Sequence, residues 1–308
     1  MNTFTSVFLV ALTISLIVQL WLTFRHIKHV SAHHDAVPSA FSNKISLEDH
    51  QKAAKYTLAK SRFGITELML GSLLLLGWTL GGGLNFIDEI WQSMGMSDLI
   101  TGVTTMVSVF IIISLLEIPL ALYSTFVIEE KFGFNKSTIR LFISDRLKQT
   151  AITILLGVPL AFLVVWLMES SGSLWWLYVW LVWTVFTLFL MWVYPSWIAP
   201  LFNKFTPLDN NELIQRINNL LLRCGFSSNG VFIMDGSKRS GHGNAYFTGF
   251  GTQKRIVFFD TLLRTLDSDE IEAVLAHELG HFKHKHVIKR IVTMTLMSLL
   301  SLALLGWL

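Results

Sequence analysis

Residues 277 to 281 read His-Glu-Leu-Gly-His, two imidazoles four positions apart with a carboxylate beside the first. On an α-helix such a pair lies on one face, so His277 and His281 can grip a single Zn²⁺ while Glu278 reaches its water. The chemistry implied is hydrolysis. Zinc lowers the pKa of that water to about 7, and Glu278 would take its proton during attack on a peptide carbonyl and pass it to the leaving amine. The competing reading is an ordinary amphipathic helix with exposed histidines; Gly280, read as a close-packing residue, and a preceding hairpin favour the site. A third histidine in the pattern His-Glu-x-x-His-x-x-Gly-x-x-His would need glycine at 284 and histidine at 287, but the chain has His284 and Val287, which excludes that zinc class. His284 and His286 stand among Lys283, Lys285, Lys289 and Arg290 and read as solvated or headgroup-facing side chains.

The elements that must hold this motif lie in a soluble-like module, residues 195–290, whose pattern is mixed α and β. Asn210 to Cys224 carries Leu213, Ile217, Leu220 and Leu221 at helical spacing, with Gly225 as the stop. Asn244 to Phe250 and Lys254 to Asp260 read as strands of a hairpin turning at Gly251-Thr252-Gln253. The motif helix follows, capped by Asp267 with Glu270 at the third position and buried along Ile271, Val274, Leu275 and Phe282.

Around this module the chain is apolar, with 52% hydrophobic and 15% charged residues among 308. That is too little charge for an ordinary soluble domain. Apolar runs long enough for about 30 Å of hydrocarbon cover residues 4–24, 64–84, 99–128, 150–168 and 174–194, and a sixth begins at 291 and stops at 308. The domain reading is therefore five spans in 1–194, a metallopeptidase domain in 195–290 and an unfinished span in 291–308. The first run has no basic residue before it and exceeds a signal h-region, so it reads as a retained span.

Charge gives the orientation. Segments 25–63, 129–149 and 195–290 hold seven, five and twelve basic residues, the whole complement of 24. Segments 85–98 and 169–173 hold none, only Asp88, Glu89, Asp98 and Glu169. Because short cytoplasmic loops collect Lys and Arg, the N-terminus is expected outside and the motif in the cytosol. The net charge of +3 follows this topology and forms no single patch, which sets nucleic acid aside as a partner.

Glu67 and Glu117 are the two carboxylates inside the spans, where ionised groups need water or a partner. They read either as the wall of a hydrated cavity or as protonated structural groups. Pro119 should loosen the third span. The eleven Trp, including Trp175, Trp176 and Trp197, read as interface-belt residues. The single Cys224 permits no internal disulfide and reads as a small core residue.

Several segments carry a resemblance to a family. Glu129-Glu130-Lys131-Phe132-Gly133-Phe134-Asn135, Pro200 to Phe205, Asp235 to Ser240, Asn244-Ala245-Tyr246-Phe247, Lys254 to Val257 and Ala276 to His281 stand in the order found in the type I CAAX prenyl endopeptidases, membrane zinc proteases of gluzincin type. Gly243 is a departure, since serine is common there in the family. The resemblance implies seven membrane helices around a water-filled chamber, which would give Glu67 and Glu117 a wet surface. It implies an edge strand at Asn244, Ala245 and Tyr246 along which an extended substrate pairs, with Asn244 nearest the scissile bond. It also implies a third zinc ligand, a glutamate on a later helix, and no residue among these 308 matches it; the chain is expected to be a fragment of a longer protein.

The expectation is therefore an α-helical multi-pass membrane protein with a cytosolic α+β zincin-like metallopeptidase domain and one Zn²⁺. Its partners would be the lipid bilayer and peptide or membrane-associated protein substrates, prenylated or not. Its home would be the inner membrane of a bacterium or the endoplasmic reticulum of a eukaryote. Two alternatives stand beside it: a heat-shock-type membrane metallopeptidase, which normally has fewer spans before its motif, and an inactive membrane scaffold.

Overall fold

The computed structural model describes residues 2–248 and 253–308. Contacts divide the chain into two compact units, Met1–Asn135 and Lys136–Leu308. Five helical stretches among the described residues are long and apolar enough to cross a membrane: Thr3–Ala32, Asp98–Glu129, Ile139–Ser170, Gly172–Leu201 and His286–Trp307. Leu47–Thr79 and Gly83–Gln92, bent by 47° at their junction, pass the same test as one broken span, which makes six.

The first unit is helical: α1 (Thr3–Ala32), α2 (Leu47–Thr79), α3 (Gly83–Gln92) and α4 (Asp98–Tyr123). Asn2 and Ser46 cap α1 and α2 by accepting backbone N–H groups that the first turn leaves without partners. Downstream of Pro119 the helix does widen, into a π-helical turn over Ser124–Glu129. That turn is pinned to α2. Tyr56 donates to Glu129 Oε1 at 2.9 Å, and Lys60 Nζ lies 3.2 Å from the same oxygen. Phe63, Ile128 and Phe132 form a small buried cluster beneath it. Gly133, at φ 82°, turns the chain where a side chain would be strained. The Glu129 to Asn135 segment is thus a knot at the end of α4.

The second unit holds α5 (Ile139–Ser170), α6 (Trp175–Val193), β1 (Phe205–Pro207), α7 (Asn211–Cys224), β2 (Ser227–Met234), β3 (Ala245–Thr248), β4 (Gln253–Phe259), α8 (Asp260–Thr265), α9 (Ser268–Lys283) and α10 (His286–Trp307). The four strands lie in the order β1-β2-β4-β3. β2 and β4 run parallel, while β1 and β3 are antiparallel to their neighbours. The expected strands are the β3–β4 pair; Gly249, Phe250, Gly251 and Thr252 lie outside the described residues.

α7 and α9 cover the sheet with the stripes their spacing predicts. Ile217, Leu221, Ile256, Phe258, Leu275 and Leu279 are the largest fully buried side chains among the described residues. Arg216 on α7 pairs with Asp269 and with Glu272 on α9, at 3.2 Å for the latter, and so ties the two helices together above that core. Leu275 is wholly enclosed. Leu275→Ala is expected to destabilise this unit by about 3 kcal/mol through lost transfer energy and a residual cavity, read as a lowered denaturation midpoint.

The segments around Asn203 and Asp235 to Ser240 are structural. Arg239 grips Asp145 of α5 through Nε–Oδ2 at 2.6 Å and Nη2–Oδ1 at 2.9 Å, and Nη1 reaches Asn203 Oδ1 at 2.9 Å. Such a fork is a guanidinium geometry that lysine does not reproduce. Nearby, burial raises the Asp260 carboxyl, but donation from the Ser237 hydroxyl and backbone N–H and the charge of Arg264 carry it below its ordinary value. A lowered folded value means that this stabilisation is whole above the usual carboxylate range and is lost as pH falls through the folded value. Asp260→Asn should therefore narrow the stability gap between neutral and acid pH, measurable as the difference between the two melting temperatures.

Candidate active site

α9 begins with a complete capping box. Asp267 accepts from the N–H groups of Asp269 and Glu270, and Glu270 reaches back to the N–H of Asp267 at 3.1 Å. Its buried stripe is Ile271, Leu275 and Leu279, with Val274 partly covered. Phe282 packs its ring on Phe247 of β3 at 5.3 Å between centroids. Docked on that side, the helix leaves His277 and His281 exposed and Glu278 half-buried.

The two imidazoles converge. His277 Nε2 and His281 Nε2 lie 3.2 Å apart, with rings edge to face at 84°. Two nitrogens bound to one zinc at about 2.05 Å and a tetrahedral angle stand about 3.3 Å apart. The Nε2 separation thus suits two ligands of one ion. Among the described residues no cluster of three metal-ligating side chains forms, so α9 offers two ligands.

One expectation changes here. A Cβ at Gly280 would meet nothing within 4 Å, so close packing does not require that glycine. The reason lies in its place on α9, whose sheet-facing stripe runs through Leu275 and Leu279. His286, read from its basic neighbours as solvated or headgroup-facing, is exposed and also has Nδ1 2.9 Å from His281 Nδ1. The cause is Lys285, which adopts the left-handed conformation at φ 55° and starts α10 in a new direction. A burial-based or helical-period reading contains no signal for that kink.

β3 is an edge of the sheet, paired on one side with β4. Asn244 precedes it; its carbonyl accepts from Phe259 N at 2.9 Å, and its exposed side chain accepts from Ala245 N at 2.8 Å. Strand alternation sends Ala245 and Phe247 into the core, so Ala245 can meet a ligand through its backbone alone. Tyr246 points to the opposite face, edge-on to Phe259 at 6.4 Å between centroids. Burial, with help from Tyr194, raises its phenol above the ordinary value. Gly243 has a reason too: a Cβ there would stand 3.0 Å from Leu262 Cδ1, so serine would crowd α8.

Glu67 and Glu117 belong to the other unit and are exposed on α2 and α4. Each stands one helical turn from a residue lining a cavity of about 600 Å³, Phe63 for Glu67 and Leu120 for Glu117.

The family model for the CAAX prenyl protease N-terminal region, with five membrane helices, matches residues 26–204, and that for peptidase family M48 matches residues 207–308. This chain belongs to peptidase family M48. The CAAX prenyl protease 1 homolog of Arabidopsis thaliana is 36% identical over 282 residues, 86% of this chain and 64% of that protein. CAAX prenyl protease 1 of Saccharomyces cerevisiae is 34% identical over 294 residues, 88% of this chain and 62% of the yeast protein. The M48 chain thus spans just under two thirds of the length of these relatives. The crystal structure of S. mikatae Ste24p superposes with a TM-score of 0.86 at 33% identity, covering 96% of this chain and 70% of that one. The resemblance read from the six segments is borne out, as is the multi-pass helical fold with a small sheet domain.

Proposed function

We propose that this M48 chain carries the catalytic helix of a membrane zinc endopeptidase that cleaves peptide bonds at the cytosolic face. The observation that carries the reading is the 3.2 Å approach of the His277 and His281 Nε2 atoms, a separation suited to one tetrahedral metal. These two residues would hold the ion. Zinc, when bound, supplies an acidified water and a Lewis acid for the carbonyl oxygen. Catalytic zinc sites usually take three protein ligands, and the family resemblance assigns the third place to a glutamate on a later helix.

Glu278 is the base. It takes a proton from the attacking water and delivers it to the leaving amine nitrogen, so that one water and one peptide bond become a carboxylate and a protonated amine. The free edge of β3 would bind the substrate as an added strand, its backbone groups giving affinity with little demand on sequence. Asn244, at the head of that strand, is assigned to the neighbourhood of the scissile bond, and Ala245 and Tyr246 to the binding edge. Glu67 and Glu117 are assigned to a hydrated wall within the helical unit, supported by the cavity one turn away.

The relatives named as CAAX prenyl proteases support a prenylated substrate among those accepted, and the five-helix N-terminal match favours this class over the heat-shock type. The distribution of Lys and Arg supports an exoplasmic N-terminus. The test uses the intact protein in lipid vesicles with matched peptides, one carrying a prenyl thioether. Hydrolysis should vanish with 1,10-phenanthroline and return with added Zn²⁺, faster for the prenylated peptide. Undiminished cleavage by the chelated protein would overturn the zinc mechanism, and equal rates for both peptides would remove the prenyl preference alone.

A further inference from the structure

The catalytic assignment uses His277, Glu278 and His281 and leaves His286 without a task, although its ring is fixed on two sides. It meets the His281 ring at 5.1 Å and 66°, and His284 stacks on it at 5.7 Å and 21°. In a continuous helix, residues five apart do not face each other. Here α9 stops at Lys283 and the left-handed Lys285 restarts the chain as α10, with Lys285 N held to Phe282 O at 2.9 Å. Lys285 is the one non-glycine among the described residues at positive φ. Non-glycine residues are held in that conformation where surrounding structure over-determines it, and such places cluster at functional sites. The result of the kink is the 2.9 Å contact between His281 Nδ1 and His286 Nδ1.

We infer that His286 is a positioning residue for His281, resting on the metal reading above. A neutral imidazole carries one N–H and one lone pair. If His281 offers its Nε2 lone pair to the metal, its proton sits on Nδ1, and the partner at 2.9 Å must accept it. His286 therefore presents the Nδ1 lone pair and keeps its own proton on Nε2. The bond fixes both the tautomer and the ring plane of His281, the service that a carboxylate or backbone carbonyl gives ligating histidines elsewhere. The Lys285 kink delivers that acceptor from the first residue of α10.

The test is zinc affinity of the purified intact protein by competition with a chromophoric chelator. His286→Leu should weaken zinc by about 10- to 100-fold, the usual cost of losing an outer-shell partner, and His286→Gln, which keeps an acceptor, should recover most of it. Lys285→Gly should bind as the wild type because glycine adopts the kink freely, and Lys285→Val should behave as His286→Leu. Wild-type affinity in His286→Leu, or equal weakness in Leu and Gln, overturns the assignment. Should the Leu variant fail to fold, ¹⁵N spectra of histidine-labelled, zinc-loaded wild type decide. A protonated His281 Nδ1 beside an unprotonated His286 Nδ1 supports the bond, and a proton on His286 Nδ1 refutes it. A wild type that binds no zinc sinks the metal reading and this inference together, whereas tight zinc in His286→Leu sinks this one alone.

Discussion

Glu278→Gln is expected to lower kcat for peptide hydrolysis by about 10³-fold, within the 10² to 10⁴ range of a positioned base, while zinc stays bound. The substitution is nearly isosteric, so α9 and its buried stripe keep their packing and both imidazoles remain where they are. What disappears is the site that accepts the proton of the attacking water. An amide has no basic lone pair to replace it. KM should change little, because Glu278 would contribute to the transition state rather than to substrate pairing along β3. The measurement is kcat and KM beside metal content on one preparation. Turnover near the wild-type rate with zinc in place would remove Glu278 from the mechanism.

His281→Ala is expected to behave in the opposite way, losing the metal first and activity as a consequence. It removes the nitrogen that lies 3.2 Å from His277 Nε2 and, with it, the contact to His286. Zinc affinity should fall by more than about 100-fold, beyond what outer-shell changes cost, and hydrolysis should drop to the level of chelated protein. His277→Ala should match it. The double variant should hydrolyse no worse than either single one, because ligands of one ion act as a unit and their losses do not add. Zinc retained stoichiometrically at wild-type affinity in either single variant would show that the ion is held elsewhere. The contrast between Glu278→Gln, metal kept, and His281→Ala, metal lost, separates base from ligand within a single helix.

The parts of this fold that were legible in the sequence are those governed by neighbours a few residues away. α7 runs from its Asn210 cap to the left-handed Gly225, and α9 starts at the Asp267–Glu270 box, as local capping chemistry dictates. Parts set by distant chain were not. β2 was unread although Val231-Phe232-Ile233-Met234 is an apolar run between turn residues, because its partner β4 pairs in parallel across an intervening connection. Hydropathy also measures what tolerates hydrocarbon rather than where a helix begins. α2 therefore starts at Leu47, well before the apolar run at 64, through a stretch rich in Lys and Ala that forms helix without being apolar. The His277 and His281 pair was visible because spacing alone puts the two side by side. His286 was not, since its place depends on one residue, Lys285, whose φ no periodicity reports.

The order of the strands has a kinetic meaning. β4 occupies the middle of the sheet between β2 and β3, and the chain passes from it through α8 directly into α9. The edge strand β3, α9 and the kink that follows are therefore contiguous in sequence. Closing short loops costs less chain entropy than closing long ones, and topologies rich in near-neighbour contacts fold faster. The hairpin and α9 should become protected from amide exchange early and together during refolding, with β1 joining later because it must wait for the far side of β2.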